Sequence, residues 1–182
     1  MIRITLFIIG TLFLIRFSKR ALSNSRTHGF YRFFVFEGIL LLALLNYPYW
    51  FENPLSPVHL LSWSLLLTSI VFIINSLLML KQSGGHAERE DMPENFSFEN
   101  TVHVVEVGLY RFIRHPMYSS LLFLAWGAFF KHITLLNIVL VLAVSGLLIA
   151  VAKVEERENV RFFGAAYESY MQRTKMFVPW IL

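Results

Sequence analysis

Two short stretches of this 182-residue chain hold most of its reactive side chains. The first, GLYRFIRHPMY at residues 108–118, groups Tyr110, Arg111, Arg114, His115 and Tyr118 around a proline. Pro116 suits the first turn of a helix, because the N–H it lacks would be unpaired there anyway. The free N–H groups at such a helix start favour an anion, for example a ligand carboxylate. The second stretch, VEERENVRFFGAAYESY at residues 154–170, puts the adjacent carboxylates Glu155 and Glu156 one turn past a strongly apolar run. Charge so close to a membrane is costly unless hydrated or paired. Glu155 facing Arg114 or His115 would make a pair able to hold the ammonium, ribose hydroxyls or carboxylate of a zwitterionic cofactor. The competing structural reading has Arg111 and Arg114 snorkelling to headgroups, His115 acting as a cap, and Glu–Arg pairs along a solvated helix.

Other chemistries find little support. The chain has no cysteine, which excludes disulfide scaffolds, thiolate metal sites and cysteine nucleophiles. Its six histidines, His28, His59, His86, His103, His115 and His132, match no HExxH or similar ligand spacing, so no metal is expected. No GxxxxGK[ST] phosphate loop and no GxGxxG run is present, and Gly84-Gly85 reads as loop flexibility. Glu37 and Asn75 are isolated polar residues in apolar runs and give only thin support to a translocation path.

The elements that must position these clusters are membrane helices. Hydrophobic residues make up 56% of the chain and charged residues 15%, with a mean hydropathy of +0.57, a balance that excludes an ordinary soluble globule. Apolar runs at residues 2–17, 33–50 and 58–80 come first. The first is read as a span rather than a cleaved signal peptide, because IRFSKR follows it in place of a small-residue cleavage site. Residues 81–115 change character to a polar, Gly-, Pro- and charge-bearing segment that belongs in water or at the interface. A helical hairpin follows, from Pro116 to Phe130 and from Ile133 to Ala152, broken at Lys131-His132. The tail from residue 153 to 182 is mixed, helical through YESYMQR and stopping near Pro179. The expected fold is all-α, a polytopic bundle of about five spans in one domain over residues 1–182, with a polar loop and C-terminal helix beside the membrane.

Five spans place the termini on opposite sides. Arg16, Lys19, Arg20, Arg26, Arg32, Lys81, Arg89, Arg111, Arg114, Lys153, Arg157, Arg161, Arg173 and Lys175 then share one face, against Arg3 and Lys131 on the other. The positive-inside bias predicts an outside N-terminus and a cytoplasmic C-terminus, in a bacterium across the inner membrane. The net charge of +4 therefore records topology, and no nucleic-acid partner is expected.

The two clusters, in this order and separated by one helical hairpin, resemble the isoprenylcysteine carboxyl methyltransferase and phospholipid methyltransferase superfamily of integral-membrane enzymes. The family's Gly-x-Tyr-x-x-x-Arg-His-Pro-x-Tyr run is matched by Gly108, Tyr110, Arg114, His115, Pro116 and Tyr118. Its Glu-Glu pair and Phe-Gly-x-x-Tyr-x-x-Tyr run are matched by Glu155, Glu156, Phe163, Gly164, Tyr167 and Tyr170, with Lys175 and Pro179 near the end. The resemblance covers about residues 100–182. It implies S-adenosylmethionine as cofactor and a lipophilic acceptor arriving from the bilayer. It also implies a cofactor site formed by Val102, His103, Val104, Val105, Tyr110, His115, Pro116, Met117, Tyr118 and Glu155. Arg114 and Glu156 are the candidate catalytic residues, Arg114 orienting the polar end or the loop and Glu156 orienting or deprotonating the acceptor. The non-enzyme alternatives are a membrane scaffold, in which Arg114 and the glutamates form interhelical ion pairs only, and a small transporter.

Three positions depart from the family pattern. Val102 stands where a His is common, with His103 one place later. Asn159 replaces a common Leu. Val151 stands where the carboxyl methyltransferases resemble one another in carrying an Arg for the substrate, and Lys153 should point to another part of the helix surface. A substrate carboxylate would lack its partner there. The resemblance thus favours a membrane methyltransferase over a carboxyl methyltransferase in particular, with a lipid amine, a prenylated thioether acid or a small hydrophobic molecule as the acceptor.

Overall fold

The computed structural model describes residues 1–85, 96 and 100–179. His86 and Arg89, with the rest of residues 86–95 and 97–99 of the segment expected to be aqueous, lie outside the described residues. Six α-helices and no strand occur among the described residues: α1 (Ile2–Phe17), α2 (His28–Asn46), α3 (Pro57–Ser83), α4 (Pro116–Phe129), α5 (Leu135–Phe163) and α6 (Ala165–Arg173). The five expected apolar runs are therefore all helical and in the expected order. Their bounds shift for local reasons. α2 begins five residues before the expected run, at His28, because the Glu158 carboxylate accepts the His28 N–H at 3.0 Å and so satisfies a free donor at the helix start. α5 continues beyond the apolar residues to Phe163, where Gly164, at φ +59°, turns the chain into α6.

Among the described residues, three segments are long and apolar enough to cross a membrane: His28–Tyr49, Pro57–Ser83 and Leu135–Phe163. At 1.5 Å per residue, α1 and α4 reach about 24 and 21 Å, short of a hydrocarbon core of about 30 Å without their flanks. Large apolar side chains such as Leu67, Ile70, Val71 and Ile74 on α3 are exposed, the surface of an integral membrane protein rather than one facing water.

The core lies between α2, α4 and α5, where Val35, Ile39, Leu42, Ala125, Ala128, Val141, Val144, Leu148 and Val151 are buried. Small residues let the helices approach. A Cβ on Gly38 of α2 would stand 2.5 Å from Val144 of α5, and one on Gly127 of α4 would stand 2.8 Å from Leu66 of α3. Lipid gives no hydrophobic drive between helices, so such close packing and interhelical hydrogen bonds must hold them. Ser62 supplies one bond, donating to the Gly127 carbonyl at 2.6 Å. Of the two isolated polar residues, Asn75 donates to the Val71 carbonyl of its own helix, and Glu37 accepts a 2.9 Å bond from Thr11, tying α1 to α2.

Candidate functional site

At the end of the bundle where α4 starts, a cleft of about 670 Å³, open mouth included, lies between α4, the far part of α5, α6 and the segment before α4. His103, Val104, Val105, Tyr110, Arg114, His115, Met117, Tyr118 and Glu155 line it. Three of the expected residues stand elsewhere. Pro116 is buried at the first turn of α4, where its ring needs no N–H partner. Glu156 is buried behind the cleft wall, one step of about 100° around α5 from Glu155. Val102 packs away from the cleft against Gly85. Its neighbour His103 lines the cleft instead.

The Gly84-Gly85 pair holds that segment in place. The Val102 and His103 N–H groups donate to the Gly84 carbonyl at 2.8 and 3.2 Å. A Cβ on Gly84 would lie 2.4 Å from Thr101, and one on Gly85, which sits at φ +65°, would lie 2.5 Å from Val102. These glycines form a tight joint between the end of α3 and the cleft wall, in place of the loop flexibility expected of them.

The polar residues form a connected set. Tyr118 donates its hydroxyl to Glu155, whose other oxygen stands 3.8 Å from His115 Nδ1. On the far side of the imidazole, Nε2 stands 3.5 Å from Glu156 Oε1. Arg114 Nε donates to that same oxygen at 2.6 Å, while its Nη1 donates to the Met171 and Thr174 carbonyls at the end of α6. The guanidinium thus pairs with Glu156 rather than Glu155, and Glu155, with 27% of its side chain exposed, keeps its carboxylate toward the cleft.

Backbone bonds fix the frame around them. Residues 112–115 run beside 175–176, with the Arg114 N–H donating to the Lys175 carbonyl at 2.7 Å and the His115 N–H to the Met176 carbonyl at 3.1 Å. Tyr170 of α6 donates its hydroxyl to the Tyr110 carbonyl at 2.7 Å. Burial pushes the Tyr170 phenol well above its ordinary value. Burial does the same to Tyr167, with the Glu155 charge adding to it and a hydrogen bond with Asn159 opposing it. Both phenols stay protonated near neutral pH. Leu80, Thr101, Asn159, Phe163, Tyr167 and Tyr170 also line the cleft without having been assigned a place in the site. For Asn159, Phe163 and Tyr167 the signal was available, since α5 repeats its face every three to four residues from Glu155 and α6 folds back. No group of three or more metal-ligating side chains gathers among the described residues.

The phospholipid methyltransferase family profile matches residues 58–166 of the chain. A methanethiol S-methyltransferase 1 from Bradyrhizobium diazoefficiens is 33% identical over 127 residues, covering 68% of this chain and 40% of that protein. A methanethiol S-methyltransferase from Pseudomonas deceptionensis is 26% identical over 125 residues, covering 69% of this chain and 45% of that protein. The chain spans less than half the length of these curated relatives. No solved structure matches it.

Proposed function

The chain belongs to the phospholipid methyltransferase family, and from that premise we propose that it transfers the methyl group of S-adenosylmethionine to a small lipophilic thiol at the membrane surface. The observation that carries the reading is the set of Glu155, His115 and Tyr118 around one cleft at the membrane end of α4 and α5. The residues present fit the cofactor. Glu155 offers a partly exposed carboxylate for its cationic end, Tyr118 and Tyr167 offer rings, and Val104, Val105 and Met117 offer apolar wall. His103 and Tyr110 complete the side formed by the segment before α4.

The cofactor supplies a methyl already activated by a sulfonium, so the protein's task is alignment. The acceptor sulfur must be held about 3–3.5 Å from the methyl carbon with water kept out, S-adenosylhomocysteine would leave as the new bond forms, and the thiol proton would pass to the His115 imidazole on the cleft wall. Tyr118 fixes one oxygen of Glu155, and His115 stands behind the other. Arg114 and Glu156 are positioning residues in this reading, locking the 112–115 segment and the His115 ring against α5 and α6.

Two observations favour a neutral acceptor. Among the described lining residues, the Arg114 guanidinium is already engaged by Glu156 and two carbonyls, leaving it poorly placed to receive a carboxylate. Val151 is fully buried in the apolar core, so no cation occupies the place where a carboxyl acceptor would find its partner. Lys153 is exposed on another side of α5, as its spacing predicts. The relatives' names point the same way, to a small thiol. By the positive-inside bias, the cleft end faces the cytoplasm. Incubating the purified, reconstituted protein with methanethiol and S-adenosylmethionine should release dimethyl sulfide, read by headspace gas chromatography. A folded protein that binds S-adenosylhomocysteine yet releases none would reject the thiol acceptor while leaving the cofactor site standing.

A further inference from the structure

α5 presents one continuous outward face along its whole length. Leu135, Val139, Leu142, Ala143 and Gly146 are exposed on it, and all are apolar. At the 3.6-residue period, the same face continues through the half-buried Ala150 to Lys153, three residues on, and then at steps of four to Arg157 and Arg161, all three cations exposed. The lipid-facing stripe therefore changes abruptly from apolar to cationic at Lys153. Residues 135–152 rise about 27 Å, close to the thickness of the hydrocarbon core, so Lys153 falls where hydrocarbon gives way to headgroups. Arg157 and Arg161 stand about 6 and 12 Å further along, at and just beyond the headgroup layer.

The acidic residues of the same turns face inward and are engaged there. Glu155 accepts from Tyr118, Glu156 from Arg114, and Glu158 from His28, whose Nδ1 lies 2.5 Å away. Lys153, Arg157 and Arg161 have no ion-pair partner among the described residues. The His28–Glu158 pair also draws the loop between α1 and α2 to this end of α5, with Lys19, Arg20 and Arg26 exposed on it. A topological bias requires cations only somewhere in the loops. Alignment of these three cations on the outward face of α5, in line with its apolar stripe, goes beyond that requirement.

We propose that Lys153, Arg157 and Arg161 of α5 form a binding surface for the headgroups of anionic phospholipids. Lys and Arg near a charged leaflet attract acidic lipids within a screening length of about 10 Å, and their long stems can lie along the acyl boundary. The consequence reaches the cleft, because Glu155 and Asn159 line it from the other side of the same turns. Acidic headgroups bound on the outer side would fix the height of α5 in the bilayer, and with it the level at which the cleft meets the membrane.

The test uses the full chain in phosphatidylcholine vesicles carrying a trace of spin-labelled phosphatidylglycerol or spin-labelled phosphatidylcholine. The motionally restricted fraction gives the relative affinity for the two lipids. We expect phosphatidylglycerol to be preferred at least about threefold, and the preference to fall toward unity in 1 M salt, where screening shortens to about 3 Å. Lys153→Gln/Arg157→Gln/Arg161→Gln should abolish it, Arg157→Gln alone should reduce it, and Arg111→Gln/Lys175→Gln, on other elements, should retain it. No preference in the wild-type protein, or an equal preference in both the triple and the single α5 variants, would overturn the proposal. Selective retention of an acidic soluble protein in place of acidic lipid would also overturn it.

Discussion

At the α4–α5 hairpin end the bundle buries neutral amides and hydroxyls against backbone carbonyls, whereas at the cleft end it buries ions against one another. Asn46 donates to the Ala128 carbonyl at 2.8 Å, and Asn137 donates to Asn46 Oδ1 at 2.7 Å and to the His132 carbonyl at 2.8 Å. His59 Nε2 donates to the Lys131 carbonyl at 3.2 Å. These bonds close α2, α3, α4 and α5 on themselves, and the more open hollow at this end, lined by Tyr49, Asn53, His59 and His132, lies at the loops that join them. At the other end, Arg114, Glu156 and Glu155 gather around the His115 ring in a series that stops at a cleft. A buried ion pair is weak evidence for stability, since apolar residues would often serve as well. Its retention beside a cleft, with one carboxylate left facing outward, supports placing the proposed cofactor site at this end.

Breaking the charged end should have the largest effect. Arg114→Ala leaves Glu156 buried without its partner and frees two carbonyls of α6, so it should cost about 3–5 kcal/mol in unfolding free energy. Chemical denaturation in detergent micelles would show this, and a loss below about 1 kcal/mol would mean the pair is not buried as described. At the hairpin end, Asn137→Ala should cost about 1–3 kcal/mol of stability, from the bonds it abandons, while leaving affinity for S-adenosylhomocysteine unchanged. An affinity loss there would erase the distinction between the two ends.

Gly85→Ala joins backbone strain at φ +65° to a contact with Val102, at about 1–2 kcal/mol for the strain. By displacing the cleft wall it should also weaken S-adenosylhomocysteine binding about fivefold, near 1 kcal/mol. Unchanged binding would show that the 101–105 segment does not shape the cleft. The smallest effect concerns a buried cation at the hairpin end. Lys131, 3% exposed, rests with its Nζ 3.3 Å from the centre of the Trp63 ring, and burial lowers its pKa to about 8. The unfolded chain therefore binds more protons between pH 8 and the ordinary lysine range, and stability should rise with pH across that window. Lys131→Met should remove the rise. A pH-independent wild-type protein would show that Lys131 is hydrated.

Much of this was legible in sequence, and the limits have a physical pattern. The apolar runs and the hairpin follow from composition and length, and the motif residues from 103 to 118 converge on the cleft because a single loop and helix start carry them. Adjacent residues on a helix are harder to separate. Glu155 and Glu156 differ by about 100° of rotation, and only the packing of α5 decides which faces the cleft and which faces Arg114. The same holds for Val102 and His103, whose facing is set by the Gly85 contact. The pairing of residues 112–115 with 175–176 joins segments separated by the whole hairpin, and no local pattern announces it.

The measurement closest to the central claim is a calorimetric titration of the detergent-solubilised protein with S-adenosylhomocysteine, run beside Glu155→Ala. Glu155 is partly exposed and accepts one bond from Tyr118, so its loss should hardly move the unfolding temperature. One site per chain is expected in the wild-type protein, and an affinity at least about tenfold weaker in the variant, roughly 1.4 kcal/mol. No binding to the folded wild-type protein, or equal affinity in the two, would contradict it.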